Sequence, residues 1–141
     1  MWEESPCCML IRRLHLSMAR QSNNVLRQHG LTMPQLLALL LLSDSPEKVL
    51  SLKELERQMQ TSQPDVAGVA VRLAMKGLVE RFVDENDRRV KRVHITEQGE
   101  RYCAAARDEM RRAEAALLAD MTGAEKESFR ALLEKAARTL E

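Results

Sequence analysis

A cluster of basic side chains lies between residues 88 and 92. Its members are Arg88, Arg89, Lys91 and Arg92. Guanidinium and ammonium groups bind phosphate, and an arginine can also enter a narrow, electronegative groove. Apolar and polar residues alternate on both sides of 85–88, which predicts a β-hairpin with the basic residues at its turn. A charged hairpin can also simply protect a sheet edge from aggregation, and the residues alone allow both interpretations.

A helix that ends near Gly77 supplies the second group of candidate binding residues. Its apolar residues recur at helical spacing and predict a buried stripe of Val66, Val69, Ala70 and Leu73. The outward face then carries Gln63, Asp65, Ala67, Gly68 and Arg72. Gly68 weakens the helix by ~1 kcal/mol relative to Ala, which suggests that the backbone closely approaches another surface. A solvated helix face is the alternative interpretation.

Two helices joined by a short turn position these side chains. The first is predicted to begin at Ser51, which forms a capping box with Glu54 three residues later. The second begins after Thr61 and Ser62, with Pro64 in its first turn, where a missing N–H costs little. Helix, turn, helix and charged hairpin form the layout of a winged helix-turn-helix, whose second helix enters the major groove of DNA.

The segment from Leu50 to Gly99 resembles MarR-family transcriptional regulators. It contains, in order, Arg-Leu and Lys-Gly-Leu-Val, an Asp-Arg-Arg wing tip and a hydrophobic-Thr-x-x-Gly exit. These motifs are Arg72–Leu73, Lys76–Val79, Asp87–Arg89 and Ile95–Gly99. The resemblance implies a homodimeric repressor that binds double-stranded DNA at a pseudo-palindromic operator and is released by a small-molecule effector.

The resemblance also implies roles for residues of the wing. Asp87 is expected to pair with Arg89 and shape the tip, so that Arg89 enters the minor groove. Arg88 and Lys91 are expected to bind phosphates. Longer side chains usually stand in relatives where this chain has Ala67 and Gly68, so readout of base edges by the helix is expected to be sparse.

Residues of the two helices complete the expected DNA contacts. Gln63 can pair with adenine, Asp65 can accept from a cytosine amino group, and Arg72 can reach guanine or phosphate. Three further residues near helix starts can offer hydroxyl, charge or backbone N–H groups to phosphates. They are Ser51, Lys53 and Thr61.

The ends of the chain predict helices that hold two copies together. Their apolar stripes are wider than a chain of 141 residues can cover. We therefore expect one domain, 1–141, with dimerisation helices at 5–30 and 97–141 around a winged lobe at 31–96. Ser5 is the expected N-cap of the first helix, and Leu36–Leu42 should form a central helix buried on all sides. The last helix should bury Phe129, Leu132, Leu133, Ala136 and Leu140.

Composition and charge exclude several classes of protein. Hydrophobic residues make up 45% of the chain and charged residues 30%, with few Gly and Pro, which favours helix. With the predicted hairpin, the expected fold is mainly α with a small β-hairpin wing. The formal net charge is +1, so affinity for nucleic acid must come from a local patch. The longest apolar run, Leu36–Leu42, is too short to span a bilayer, and Arg12 and Arg13 interrupt any secretory segment. A cytoplasmic protein is expected.

The histidines predict no catalytic chemistry. His15, His29 and His94 are scattered, and the sequence has no zinc-ligand spacing and no Gly-rich phosphate loop. We therefore expect neither an enzyme nor a metal site nor a cofactor.

Cys7 and Cys8 leave a redox function open. Both fall in the first turn of the predicted first helix, where the helix dipole favours a thiolate. The segment Thr32–Leu42 also resembles the organic-hydroperoxide-sensing branch of the family. That branch surrounds its cysteine with tyrosines, whereas Tyr102 is the single tyrosine of this chain. A protein-interaction module that uses the winged fold without DNA is the remaining alternative.

Overall fold

A computed structural model describes residues 6–60 and 63–141, with the backbone alone for Val25, Gln63 and Pro64. It forms two compact units, one ending at Arg107 and the other beginning at Asp108. The helices are α1 (Pro6–His29), α2 (Met33–Asp44), α3 (Leu52–Met59), α4 (Gln63–Met75), α5 (Glu97–Leu117) and α6 (Gly123–Leu140). The strands are β1 (Val49–Ser51), β2 (Val79–Val83) and β3 (Lys91–Ile95), and a short 3-10 turn covers Pro46–Lys48. The predicted fold class, mainly α with a small antiparallel sheet, is confirmed.

Reciprocal capping boxes fix the start of α2, α3 and α6. In each, a hydroxyl accepts the backbone N–H of the third helical residue, whose side chain returns to the N-cap backbone. The pairs are Thr32 with Gln35, Ser51 with Glu54 and Thr122 with Glu125. Such boxes satisfy N–H groups that a helix start leaves without a partner. The expected N-cap Ser5 lies outside the described residues.

The wing sheet is antiparallel and has β3 at its centre. Val93 pairs with Leu50 of β1 on one side and with Arg81 of β2 on the other. Side chains of the sheet that face the core are Leu50, Val79, Val93 and Ile95, each at most 6% exposed. Beyond Val79, the side chains of β2 are exposed. The sheet therefore anchors the wing at its base and leaves its tip in solvent.

Helix α2 lies in the core of the first unit, but it is not buried on all sides. Ala38, Leu39 and Leu42 are at most 2% exposed, whereas Leu37 is 40% exposed. The expectation of an all-round buried helix is therefore wrong. A single layer of α3, α4 and the sheet covers one face of α2 and leaves the other accessible.

Helix α6 buries none of its residues within the chain. Leu132 is 65% exposed, Leu133 46% and Leu140 90%, Ala136 is exposed and Phe129 is half-buried. The expected burial of this stripe is therefore wrong for a single chain, because so small a unit offers too little surface to cover the helix.

Among the described residues, no helix combines the length and apolar composition that crossing a bilayer requires.

Candidate nucleic-acid interface

The buried stripe of α4 holds this helix against the core of the first unit. Val66, Ala70 and Leu73 are at most 3% exposed, and Val69 is 8% exposed, as predicted. Gly77 adopts a φ of 74°, a left-handed conformation that suits glycine. Its N–H donates to the Ala74 carbonyl and that of Leu78 to the Leu73 carbonyl, both at 3.0 Å. These bonds end the helix and direct the chain into β2.

The outward face of α4 carries Asp65 and Arg72 in exposed positions. Arg72 bends back along the helix, and its Nη1 lies 3.5 Å from where a Cβ of Gly68 would stand. An added methyl group would make an ordinary van der Waals contact there. The fold itself does not require glycine at this position, so the close approach expected at Gly68 has no counterpart within the chain.

The remaining candidates on the two helices divide into three cases. Lys53 is exposed near the start of α3. Ser51 is 8% exposed, and its hydroxyl oxygen accepts the Glu54 N–H at 3.1 Å. Ser51 therefore caps α3. Its expected contact with phosphate stays a prediction, because the hydroxyl that accepts this bond still has its own O–H to donate. Thr61 lies outside the described residues, as does the side chain of Gln63.

Backbone hydrogen bonds close the wing tip. The N–H of Asp84 donates to the Val90 carbonyl at 2.9 Å, and the N–H of Val90 donates to the Asp87 carbonyl at 3.0 Å. Beside the turn, Arg92 Nε lies 3.4 Å from Asp84 Oδ1. Arg92, one of the four clustered cations, thus belongs to the support of the tip and is half-buried.

Asp87 and Arg89 contact each other within this tip. Asp87 Oδ1 accepts hydrogen bonds from the backbone N–H and the Nε of Arg89, and Oδ2 accepts one from its Nη2. The side-chain hydrogen bond from Arg89, with help from the backbone one, holds the pKa of Asp87 below its ordinary value. Arg88 and Lys91 are exposed on the same tip. The tip thus presents three cations to solvent, one of them held by a carboxylate.

Thr96 and Gly99 attach the wing to α5. The Thr96 hydroxyl donates to the Gly77 carbonyl at 2.8 Å and accepts the Gly99 N–H at 3.1 Å. A Cβ on Gly99 would stand 2.6 Å from Ile95 Cγ1 and closer still to the Leu78 carbonyl oxygen. The Thr-x-x-Gly motif therefore has a steric reason, because the helix start must pass directly over the end of the wing sheet.

Two polar clusters in the first unit were not predicted. Lys76 Nζ, just beyond α4, contacts the Gly30 carbonyl and lies 3.1 Å from Gln35 Oε1. Glu100 of α5 forms an ion pair with Lys48 and accepts a hydrogen bond from Ser43 at 2.9 Å. Each cluster joins residues far apart in sequence, so local patterns carry no signal for them. Together they fasten the end of α4 and the start of α5 to α2 and its flanks.

The three cysteines differ in their exposure to solvent. Cys7 and Cys8 are exposed in the first turn of α1, whereas Cys103 is fully buried. Burial raises the pKa of the Cys103 thiol. Within the described part of the chain, His, Cys, Asp and Glu form no group that could hold a metal ion.

Comparison with known proteins identifies this arrangement. Residues 31–91 match the family model described as MarR family. A MarR family protein from Bacillus stearothermophilus is 25% identical, with 99% of this chain and 98% of that chain covered and a TM-score of 0.82. A mutant of S. aureus MepR is 25% identical over 95% of this chain and 98% of its own, with a TM-score of 0.81.

A DNA complex of S. aureus MepR has the same fold. It is 25% identical, with 95% of this chain and 99% of that chain covered and a TM-score of 0.73. No curated protein matches the sequence significantly. Residues 31–91 are therefore a MarR-family domain, in a chain that has the fold of MarR-family transcriptional regulators.

Proposed function

We propose that this protein is a DNA-binding transcriptional regulator, acting as a repressor at a pseudo-palindromic operator. The observation that carries the proposal is the arginine-rich wing tip, with Arg89 held by Asp87 beside exposed Arg88 and Lys91. In the winged helix-turn-helix, such a tip lies along the DNA backbone or in the minor groove while the second helix enters the major groove. The solved complex of S. aureus MepR with DNA supports this use of the fold.

The proposed regulator is a homodimer. Helix α1 exposes Leu10 and Ile11 by more than half, and α6 exposes Leu132 and Leu140 still further. Apolar stripes of this kind are typical of surfaces that a second chain covers. A two-fold dimer would present two α4 helices to successive major grooves roughly 34 Å apart, which explains the expected pseudo-palindrome.

Release by a small-molecule effector completes the proposal. Binding of such a ligand would change the spacing of the two α4 helices. Lys76 and Glu100 support such coupling, because they fasten the lobe to the corner after α1 and to α5. Binding to chromosomal operators requires a cytoplasmic protein.

The test is a salt titration of DNA binding. Full-length protein would be titrated onto a labelled duplex from upstream of its own coding sequence, between about 50 and 200 mM salt. Phosphate contacts should make log K fall against log[salt] with a slope of about −0.9 per contact. Absence of binding at low salt, or a flat salt response, would contradict DNA binding and favour a protein-interaction module.

A redox-controlled form of the same function is a second candidate. It is favoured by the exposure of both Cys7 and Cys8 at the start of α1, where an oxidant can reach them. Hydroperoxide treatment should then lower the DNA affinity of the wild type and leave a Cys7→Ser/Cys8→Ser variant unchanged. Equal affinity before and after oxidation of the wild type would rule this candidate out.

A further inference from the structure

The outward face of α4 has an apolar centre. Gly68, Val71 and Met75 follow one another at intervals of three and four residues, so they lie along one line of the helix. Val71 is 36% exposed and Met75 82% exposed. Ala67, half-buried, borders this line on one side. We call Gly68, Val71 and Met75 the apolar line of α4.

Charged groups border the apolar line on its other side. Asp65 and Arg72 are exposed there, and the Arg72 guanidinium lies against the Gly68 position. The wing, which follows α4 in the chain, adds the exposed cations Arg88, Arg89 and Lys91. A carbon surface in a lobe that also presents this cluster of cations suits a polyanion with apolar groups in its groove better than it suits an apolar protein surface.

The edges of DNA bases include one group that matches this surface. In the major groove, thymine presents a 5-methyl group, whereas the other distinguishing groups are hydrogen-bond donors and acceptors. The side chains of Ala67 and Val71 cannot hydrogen-bond, and the Met75 thioether is only a weak acceptor, but all three can pack against a methyl group. Gly68, which the fold itself does not require, leaves room for the helix backbone to approach the base edges.

We propose that Val71, beside Gly68, reads thymine methyl groups in the operator. The inference rests on the proposed DNA binding and adds a basis for sequence specificity to it. Val71 is better placed than Met75, since recognition helices contact bases through their N-terminal part and Met75 is the last residue of α4. A valine in a helix also holds essentially one rotamer, so it loses little entropy on contact.

The experiment removes the methyl group without changing base pairing. Duplexes bound by the wild-type protein are selected from a random-sequence library and resynthesised with deoxyuridine in place of individual thymidines. Each contacted methyl should contribute about fourfold in affinity, the value of burying one methylene-sized group. The loss should be confined to one or a few positions in each half-site.

Two variants assign the contact. Val71→Ala should bring the ratio of affinities for thymidine and deoxyuridine duplexes close to one, while alanine keeps the helix stable. Lys91→Ala, which removes a proposed phosphate contact, should weaken binding to both duplexes equally and leave the ratio unchanged. Thermal melting of each variant checks that the fold is retained.

The outcomes separate this inference from the proposed function. Tight, salt-sensitive binding that is indifferent to deoxyuridine at every position would overturn methyl readout and leave DNA binding intact. A ratio that Val71→Ala does not change would overturn the assignment to Val71. Failure to select any duplex at low salt would overturn the proposed function, and methyl readout with it.

Discussion

Asp87 holds Arg89 through three hydrogen bonds of 3.1, 3.1 and 3.3 Å, two from the side chain and one from the backbone N–H. The Arg89 side chain is nevertheless 92% exposed. Its guanidinium is therefore oriented by one carboxylate rather than by packing. A side chain oriented before binding loses less conformational entropy when it enters a groove.

The first prediction compares Arg89→Ala with Lys91→Ala. Each variant removes one positive charge from the tip, but Arg89 should matter far more, by about tenfold or more in affinity, or about 1.4 kcal/mol. An arginine in the minor groove is desolvated between two strands, whereas a lysine at the rim stays hydrated and screened. Titration of both variants onto the same duplex at one salt concentration gives the comparison. Equal losses would indicate an unstructured basic patch.

The second prediction concerns Asp87→Ala. Removing a negative charge near DNA should strengthen binding by Coulomb attraction alone, yet we expect weaker binding, because Arg89 loses the partner that orients it. Glu85→Ala is the matched control, since it removes the same charge from the same exposed turn. That control should bind as well as the wild type or slightly better. Tighter binding by both variants would show that the Asp87 contact does not organise the tip.

The third prediction is a pH dependence of stability at Glu100. The hydrogen bond from Lys48, supported by Ser43, holds the pKa of Glu100 below its ordinary value of 4.5. Because the folded pKa is depressed, this contribution is present above the unfolded pKa and is lost as pH falls through the folded pKa. Glu100→Gln should cost about 0.5–1 kcal/mol at neutral pH, and the difference from wild type should shrink as pH drops below 4.5.

Urea unfolding at a series of pH values measures this difference. Glu97→Gln is the control, since Glu97 lies in the same first turn of α5 and its ion pair with Arg101 is well exposed. That control should change stability little at any pH. A Glu100→Gln deficit that persists unchanged at low pH would contradict an electrostatic origin.

Local sequence rules predicted much of the winged lobe. The Ser51–Glu54 capping box, the buried stripe through Leu73 and the helix stop at Gly77 each depend on residues within one or two turns of each other. Such features follow from hydrogen bonds and periodicity that the sequence displays directly.

What could not be predicted depends on distant partners. The capping role of Ser51 is local, but its low exposure of 8% depends on β1 pairing with β3, where Ser51 lies opposite Arg92. The contacts of Lys76 and Glu100 join positions more than 40 residues apart. The apolar stripe of α6 could be predicted from helical periodicity. Whether another chain covers it depends on the assembly, which the sequence of one helix does not show.

The fourth prediction is that this stripe holds a dimer together. Leu133→Glu should shift the protein from dimer to monomer at micromolar concentration, because it places a charge in the apolar stripe of α6. Ala131→Glu is the matched control, since residue 131 is exposed and lies on the opposite face of the helix. It should leave the dimer intact. Sedimentation velocity distinguishes the states, and a wild-type protein that sediments as a stable monomer would contradict the proposed dimer.

The fifth prediction is that one substitution, glycine to alanine, has opposite effects at two positions. At Gly99, a Cβ would clash with Ile95 Cγ1 at 2.6 Å and with the Leu78 carbonyl oxygen. That carbonyl is fixed because it also accepts the Thr96 N–H. Gly99→Ala should therefore lower the free energy of unfolding by about 1–3 kcal/mol, the usual cost of overpacking.

At Gly68, the nearest atom to an added Cβ is Arg72 Nη1 at 3.5 Å, which is the end of a flexible side chain. Gly68→Ala should raise the free energy of unfolding by up to about 1 kcal/mol, since alanine favours the helix over glycine. Urea denaturation with an unchanged m-value measures both variants on one scale.

Destabilisation by Gly68→Ala would mean that the fold, and not a partner surface, requires glycine there. Wild-type stability of Gly99→Ala would show that α5 can move away from the wing sheet, and the steric account of the Thr-x-x-Gly motif would then be wrong.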